Sequence, residues 1–161
     1  MDERDIRILK AIADLGTGSP DELHEETGIP VSTIHYRLGN LWEEGIIEND
    51  LYDLDLSELG LDVTVLVEVL SDYSDDHNDV LEKLREVEGV TQIFSTMGET
   101  DFIAIARLPG SDEVERLIRD FEMIEEVNRT NSTYVISTDR EFTRGIESYS
   151  LETLVETLVG K

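Results

Sequence analysis

The sequence predicts an α+β protein with a helical N-terminal domain and a C-terminal domain of strands and helices. Up to Gly45, apolar residues recur at the three- and four-residue spacing of amphipathic helices. From Val63 onward, β-branched apolar runs alternate with amphipathic segments, and turns containing glycine or proline separate them. Strand runs interspersed with helical segments favour a sheet that carries its helices on one face.

The first helix is predicted over residues 4–15. Its apolar residues recur at helical spacing, at Ile6, Leu9, Ile12 and Ala13, with Ile8 and Leu15 beside them. The residues that follow, Gly16-Thr17-Gly18, break this pattern. We therefore expect one face of this helix to be buried.

The second helix is predicted to begin at Ser19-Pro20. A serine is a favoured N-cap, and proline fits the first helical position. Glu22 stands where it can complete a capping box with Ser19. The helix is short, because Gly28 provides a natural left-handed stop.

The third helix is predicted to open at Pro30 and to end near Gly45, with Ile34, Leu38 and Leu41 on one face. Gly39 lies inside this helix and costs it about 1 kcal/mol relative to alanine. Ile46 and Ile47 are interpreted as the first strand of a wing. Three helices in this order, with a tight turn between the last two, indicate a winged helix-turn-helix.

The second half of the chain is predicted to follow the order strand, helix, strand, strand, helix, strand. This order is typical of a ferredoxin-like βαββαβ domain, in which an antiparallel sheet carries both helices on one face. Ser111 is the expected cap of the second helix. The predicted segments are 63–70, 75–88, 90–96, 101–108, the helix after Ser111, and 127–137.

An extra C-terminal helix is predicted from apolar residues at helical spacing, namely Leu151, Leu154, Val155, Leu158 and Val159. We expect it to dock on its own chain or on a sister subunit, because Glu152 and Glu156 disfavour an anionic lipid surface. The predicted organisation is a winged helix-turn-helix over residues 1–50, a linker over 51–62, the ferredoxin-like domain over 63–138, and a C-terminal extension over 139–161.

The charge of the chain is strongly negative, with 38 acidic residues, 13 lysines and arginines, and a net charge of −25. Such a surface repels itself at low salt, and molar salt screens that repulsion. We interpret the acidity as adaptation to a salt-rich cytoplasm, because the acids are spread along the whole chain. The alternative is an acidic chain that mimics or avoids nucleic acid.

The composition also limits the location of the protein and its chemistry. There is no cysteine, so the chain forms neither disulfides nor thiolate metal sites. The N-terminus lacks the apolar run of a signal peptide, and no uncharged apolar stretch is long enough for a membrane span. We therefore expect a soluble, cytoplasmic protein that does not engage membranes.

Four groups of residues resemble the Lrp/AsnC (feast/famine) family of transcription regulators. They appear in the order expected for that family and cover about residues 2 to 138. The first group belongs to the N-terminal domain, the second to the junction, the third to an effector loop of the form Gly-x-x-Asp-aromatic, and the fourth to the last strand. The N-terminal group comprises Ile6–Leu9, Leu23, Gly28-Ile29, Ser32–Ile34, Arg37-Leu38 and Leu41–Ile47. The junction is Ser57–Leu61, the effector loop is Gly98–Phe102, and the last strand is Thr133–Ile136.

This resemblance implies a DNA-binding regulator with a C-terminal effector domain of the RAM/AsnC type. It implies a homodimer, built from the two sheets, that sets two recognition helices in successive major grooves of a pseudo-palindromic site. Family members often assemble further, up to octamers. The expected partners are double-stranded DNA and a small effector, most naturally an amino acid. Together with the acidity, the resemblance suggests a halophilic archaeon.

The candidate DNA-binding residues lie on the third helix: Ser32, Thr33, His35, Tyr36, Arg37 and Asn40. Such side chains can contact base edges or the phosphate backbone. The alternative for this face is a solvated polar surface. A separate alternative for Arg37 is an ion pair with Glu25 or Glu26 inside the domain. The family often places basic residues beyond this arginine, whereas this chain has Gly39 and Asn40 there and an acidic wing at Glu48–Asp50.

The candidate effector site is the loop formed by Thr96, Met97, Gly98, Glu99, Thr100 and Asp101. Gly98 allows close backbone approach, Asp101 can accept hydrogen bonds from an α-ammonium group, and Thr100 with the loop amides can bind a carboxylate. The resemblance implies that effectors bind at such loops between dimers, with Tyr134 and Ile136 helping to line the site. The alternative is a plain β-hairpin turn.

No enzyme is predicted, and no cofactor, because no catalytic nucleophile, phosphate-binding loop or metal cluster stands out. The three histidines, His24, His35 and His77, lie in different elements. One alternative is a sirohaem-decarboxylase-like enzyme on the same scaffold, which the acidic stretch 48–53 disfavours. Another is a regulatory partner that forms mixed oligomers with a basic paralogue.

Overall fold

The computed structural model describes residues 1–49, 54–71, 77–141 and 144–159, which fall into two compact units. The first unit contains α1–α3 and α6, and the second contains the four strands with α4 and α5. No helix in these residues is long and apolar enough to cross a membrane. The elements are α1 (Glu3–Leu15), α2 (Pro20–Thr27), α3 (Val31–Glu43), β1 (Val63–Ser71), α4 (His77–Arg85), β2 (Val90–Ser95), β3 (Phe102–Leu108), α5 (Glu113–Glu122), β4 (Val127–Val135) and α6 (Leu151–Leu158).

Helix α1 begins with a capping box that joins Asp2 and Asp5. The Asp2 carboxylate accepts hydrogen bonds from the amides of Arg4 and Asp5, and the Asp5 carboxylate accepts one from the amide of Asp2. This arrangement satisfies backbone donors that a helix start otherwise leaves unpaired. It also places two carboxylates at one end of α1.

Helix α1 is buried on more than one side, whereas the sequence predicts that only one face is buried. Ile8 and Ala11 belong to a core with Leu23, Ile29 and Ile34, while Ile6 and Ala13 are also buried. Leu9 and Ile12 are only partly buried. The reason is that α1 contacts α6 in addition to α2 and α3.

Helix α2 confirms the predicted proline start and glycine stop but not the predicted capping box. Pro20 lies in the first turn, and Gly28 ends the helix at φ +70°. Ser19 is the N-cap residue, but its side chain makes no capping hydrogen bond, so its expected pairing with Glu22 is wrong. The backbone amide of Ser19 instead donates to Oγ1 of Thr17, at 3.1 Å.

Helix α3 buries its predicted face, and no strand is formed at Ile46 and Ile47 after it. Ile34 and Leu41 are fully buried. The amides of Ile46 and Ile47 both donate to the carbonyl of Leu41, at 2.9 and 3.1 Å. These two amides are used to close the helix end, so the prediction of a strand at Ile46–Ile47 is wrong; both residues form a bend.

The second unit has the predicted ferredoxin-like fold. The sheet order is β2-β3-β1-β4, all neighbours are antiparallel, and the core between sheet and helices contains residues of α4 and α5. Side chains alternate along β3, with Phe102, Ala104, Ala106 and Leu108 buried. The period-two pattern of the sequence therefore identified the core face of this strand.

Several boundaries differ from the predicted ones. β4 ends at Val135 rather than at residue 137, so Ile136 lies just after the strand. Ser111 is not the cap of α5, since the N-cap residue is Asp112 and makes no side-chain capping bond. The first two residues of the predicted 75–88 helix, the linker residues 51–53 and the wing residue Asp50 lie outside the described residues.

The C-terminal segment packs on α1. Ser150 caps α6 by accepting a hydrogen bond from the amide of Thr153, and Leu154 is buried. The Arg144 guanidinium donates to the carbonyl of Ala13, and the Lys10 ammonium donates to the carbonyl of Glu147, both at 3.4 Å. The amphipathic tail is therefore part of the unit that contains the helix-turn-helix.

Candidate functional site

The outer face of α3 is the exposed surface of the helix-turn-helix. Ser32, His35 and Tyr36 are exposed, the last with 69% of its surface accessible, and Thr33 and Asn40 are partly buried. Ile34 and Leu41 anchor the opposite side in the core. The packing therefore leaves polar groups facing solvent along the helix.

Arg37 points away from that surface. Its guanidinium donates to the carboxylates of Asp2, at 2.8 Å, and Asp5, at 2.7 Å. Only 18% of the Arg37 side chain and 13% of the Asp5 side chain are exposed. The partners differ from the expected Glu25 or Glu26, but the ion pair is internal to the domain, as the alternative interpretation supposed.

This ion pair shifts the pKa of Asp2 and the pKa of Arg37. The hydrogen bond from Arg37 lowers the pKa of Asp2, and the hydrogen bonds to Asp5 and Asp2 raise the pKa of Arg37. The Nε of Arg37 is buried and has no hydrogen-bond partner among the described residues. The arginine thus joins the start of α1 to the middle of α3.

Positive charge in the helix-turn-helix is largely engaged in internal contacts. Residues 1–49 contain four lysines and arginines, of which Arg4 is exposed. The Arg7 guanidinium donates to the carbonyl of Thr27, at 2.7 Å, and Lys10 forms an ion pair with Asp14. With Arg37 paired as well, three of the four cations are held by neighbours in the fold.

The loop between β2 and β3 is closed by hydrogen bonds of its own backbone. The amide of Thr96 donates to the carbonyl of Asp101, and its hydroxyl donates to the carbonyl of Thr100. Met97, Gly98 and Glu99 at the tip are exposed. The hydrogen bonds of Thr96 therefore hold the base of the loop, and the tip presents backbone and side-chain groups to solvent.

Asp101 is buried beneath this loop. Its carboxylate accepts hydrogen bonds from the amide of Ser71, at 2.8 Å, and from the hydroxyl of Ser71, at 3.0 Å. Its own amide donates to the carbonyl of Val69, at 2.9 Å. Asp101 therefore joins the end of β1 to the loop, and one of its oxygens is already occupied.

Tyr134 and Ile136 lie at the opposite end of the sheet from this loop. Tyr134 pairs with Val65 in β1, whereas the loop meets β1 at Val69 and Ser71. Ser71 lies six residues further along β1 than Val65, which is about 20 Å. Within one chain, the structure does not bring the two parts of the predicted effector site together.

No group of three or more His, Asp or Glu side chains among the described residues could hold a metal ion. A surface groove of about 410 Å³ lies between α4 and β2, where Leu81, Arg85 and Ile93 line it, and the loop at residues 96–101 does not reach it.

Sequence reasoning missed three residues that organise these sites, namely Asp2, Asp5 and Ser71. The first two carry a recognisable signal, because an acid three residues before another at a helix start is a capping-box pattern. Ser71 carries no local signal, because it meets Asp101 only through the pairing of β1 with β3.

Two family models match the chain. Residues 62–144 match the Lrp/AsnC ligand binding domain, and residues 1–48 match a winged helix-turn-helix DNA-binding domain. An uncharacterized HTH-type transcriptional regulator of Pyrococcus abyssi is 30% identical over 122 residues, 74% of this chain and 81% of that protein. The HTH-type transcriptional regulator FL11 of Pyrococcus horikoshii is 25% identical over 143 residues, 89% of this chain and 94% of FL11.

Solved structures agree with this fold. AsnC of E. coli has 25% identity and a TM-score of 0.77, with 88% of this chain and 95% of AsnC covered. A feast or famine regulatory protein of M. tuberculosis, complexed with L-methionine, has 25% identity and a TM-score of 0.73. That match covers 85% of this chain and 94% of the other.

The ion pair between Arg37 and Asp5 is expected to couple α1 to α3 energetically. Arg37→Ala, Asp5→Asn and the double variant should show a coupling free energy of about 1 kcal/mol in urea unfolding at pH 7. Asparagine keeps an acceptor for the amide of Asp2, so Asp5→Asn removes the charge and leaves the cap. Additive effects of the two single changes would contradict the coupling.

The ion pair of Arg37 with Asp2 predicts that the free energy of unfolding depends on pH. The pKa of Asp2 in the folded protein lies below its unfolded value of about 3.9. Its stabilising contribution is therefore complete above that pH and is lost as the pH falls through the folded-state pKa. Unfolding of wild type and Arg37→Ala should differ less at pH 2.5 than at pH 7, and an undiminished difference would contradict this assignment.

Proposed function

Because this chain belongs to the Lrp/AsnC family of transcription regulators, we propose that it binds double-stranded DNA through the outer face of α3 and responds to an amino acid or another small metabolite. The observation that carries the DNA-binding role is the match of residues 1–48 to a winged helix-turn-helix DNA-binding domain. The exposed polar face of α3 in that domain supplies the groups for contact.

The contacts we propose are made by Ser32, His35, Tyr36 and Asn40, with Thr33 at the edge of the face. Hydroxyl, imidazole and amide groups of this kind hydrogen-bond to base edges and to phosphate oxygens. Arg37 acts as a positioning residue, because its guanidinium holds α3 against α1. Recognition then depends on where α3 is fixed rather than on cationic side chains.

The salt dependence of binding should reflect this scarcity of cations. Each phosphate contact by a cation contributes about −0.9 to the slope of log affinity against log salt concentration. If Arg4 alone is available in each helix-turn-helix, a dimer gives a slope of about −2. Such a shallow slope suits a protein of net charge −25 that works in a salt-rich cytoplasm.

Binding to DNA selected from a random-sequence library, followed across a KCl series up to molar concentration, tests this function. Tyr36→Ala should weaken binding by roughly tenfold or more, since base and backbone contacts are worth about 1–3 kcal/mol each. Tyr149→Ala, another exposed tyrosine of the same unit, serves as the matched control and should bind normally. A slope steeper than about −5 would contradict the proposed mode. Failure to select any DNA would favour a mixed oligomer with a basic paralogue.

The role of Arg37 is tested by measuring the DNA affinity of Arg37→Ala and Asp5→Asn in the same assay. If Arg37 positions α3, Arg37→Ala and Asp5→Asn both weaken DNA binding. If Arg37 instead contacts phosphate, Asp5→Asn should strengthen binding, because it releases the guanidinium and removes a negative charge. The sign of the Asp5→Asn effect therefore decides between the two roles.

We propose that two chains pair through the sheet face opposite α4 and α5. Leu66 faces Ile105 across β1 and β3 on this side, and Phe94 faces Ile103 across β2 and β3. Phe94 is half exposed, and the other three are only partly buried. A partly apolar face of this kind is suited to burial against a second copy, and such a dimer presents two α3 helices to a pseudo-palindromic site.

Disruption of that face should dissociate the dimer. Ile105→Glu is expected to convert the wild-type dimer or higher oligomer into a monomer in light scattering coupled to size-exclusion chromatography. Ser111→Glu adds the same charge at an exposed position outside the sheet and should keep the wild-type mass. An Ile105→Glu protein that stays folded and dimeric would exclude this interface.

We propose that the effector binds at the loop of residues 96–101, in a site completed by another chain. The loop offers its backbone amides and the Thr100 hydroxyl for a carboxylate, while Asp101 holds the loop on β1. Tyr134 and Ile136 lie about 20 Å away in the same chain, so they can line this site only when a neighbouring chain supplies them. The M. tuberculosis relative complexed with L-methionine makes amino acids the first class to test.

A thermal-shift panel of the twenty amino acids, with L-methionine as the first probe, tests the effector proposal. A ligand present at a hundred times its dissociation constant should stabilise the protein by about 2.7 kcal/mol. Thr100→Val should abolish the shift, and Thr157→Val, exposed on α6, should preserve it. Absence of any shift, or a full shift in Thr100→Val, would count against the site.

A further inference from the structure

Gly39 lies in the interior of α3, where the fold gives no reason for a glycine. It is exposed, its backbone φ is not in the positive range, and a Cβ built on it meets no atom within 4 Å. Gly28 and Gly45, by contrast, end their helices at φ +70° and +71°. Glycine lowers the stability of a helix interior, so Gly39 destabilises α3, and neither its backbone conformation nor a close contact requires it.

The position of Gly39 places it on the proposed DNA-binding face. His35 and Tyr36 precede it by four and three residues, so the helical repeat sets all three on one side of α3. Ser32 lies two turns earlier on the same side, and Asn40 is the adjacent residue. The missing side chain therefore leaves a notch within the exposed face.

His35 and Tyr36 border this notch on one side, and Trp42 and Glu43 border it on the other. Ser32 and Asn40 reach only a few ångströms from the backbone, unlike the long cations that read bases from a greater distance. The major groove is about 12 Å wide, close to the diameter of a helix with its side chains. Ser32 and Asn40 therefore make base contacts only when the backbone beside them lies deep in the groove.

We propose that Gly39 is the point at which the backbone of α3 lies closest to the DNA, and that its lack of a side chain allows Ser32 and Asn40 to reach base edges. This inference rests on the proposed DNA-binding function and extends it to one position. It explains a glycine that weakens α3 and that no contact in the fold requires. Close approach at the notch brings uncharged side chains within hydrogen-bonding distance of the DNA. Their hydrogen bonds then replace contacts that lysine or arginine side chains would make.

The proposal predicts opposite effects of one substitution on stability and on binding. Gly39→Ala should raise the thermal unfolding temperature by roughly 2–4 °C, because alanine favours the helix. The same change should weaken binding to the selected site by about tenfold, or 1.4 kcal/mol. Gly39→Leu should be at least as stable as wild type and should bind more weakly still. Affinity for a random-sequence duplex should change much less in both variants.

The control is Gly18→Ala. Gly18 lies in the same unit, is exposed, has no positive φ and has no atom within 4 Å of a built Cβ. Its variant should bind the selected site within about twofold of wild type, a difference of roughly 0.4 kcal/mol. A folded Gly39→Ala protein that binds as tightly as wild type would overturn the inference and leave the DNA-binding function standing. A wild-type protein that binds no DNA would overturn both.

Discussion

Scarcity of positive charge is the constraint on which the rest of this structure depends. The chain has 13 lysines and arginines against 38 acids, and several of these cations hold the fold together. Arg37 joins α3 to the start of α1, and Arg7 donates to the end of α2. In the second unit, Lys83 pairs with Glu126 next to β4. An ion pair whose members are sheltered from solvent is screened less by salt than an exposed one. The pair of Arg37 with Asp5 is therefore less sensitive to salt than an exposed ion pair.

This allocation shapes how the helix-turn-helix can recognise DNA. A basic regulator gains most of its affinity from the release of counterions, which weakens as salt rises. Here the guanidinium on α3 faces the protein, and the exposed side carries hydroxyl, imidazole, phenol and amide groups. Such groups act through hydrogen bonds of defined geometry, so the placement of α3 becomes decisive. In the proposed mode of binding, the internal ion pair fixes the position of α3 and the glycine on its outer face allows close approach to DNA.

Local patterns in the sequence predicted the elements, whereas contacts between distant segments decided the site. The alternation of Phe102, Ala104, Ala106 and Leu108 predicted the core face of β3 because a strand fixes that alternation by itself. The partner of Arg37 was not predictable in this way, since Glu25, Glu26, Asp2 and Asp5 are all acids and only the packing of α1 on α3 selects among them. Ile46 and Ile47 have strand propensity, but the helix end uses both of their amides. The loop and Tyr134 were grouped by resemblance, and only the strand register reveals their separation.

The connections between the two units give the sheet a defined polarity. Val63 begins β1 and Val135 ends β4, and the register pairs Thr64 with Val135, so both chain connections leave the same end of the sheet. One connection leads back to the helix-turn-helix, and the other leads to the segment whose Arg144 and α6 pack on α1. The loop at residues 96–101 lies at the other end, about 20 Å along β1. An effector bound there, as proposed, would lie far along the sheet from both connections of its own chain. Tyr134 of a neighbouring chain, which would complete the proposed site, lies next to the connected end of that chain's sheet.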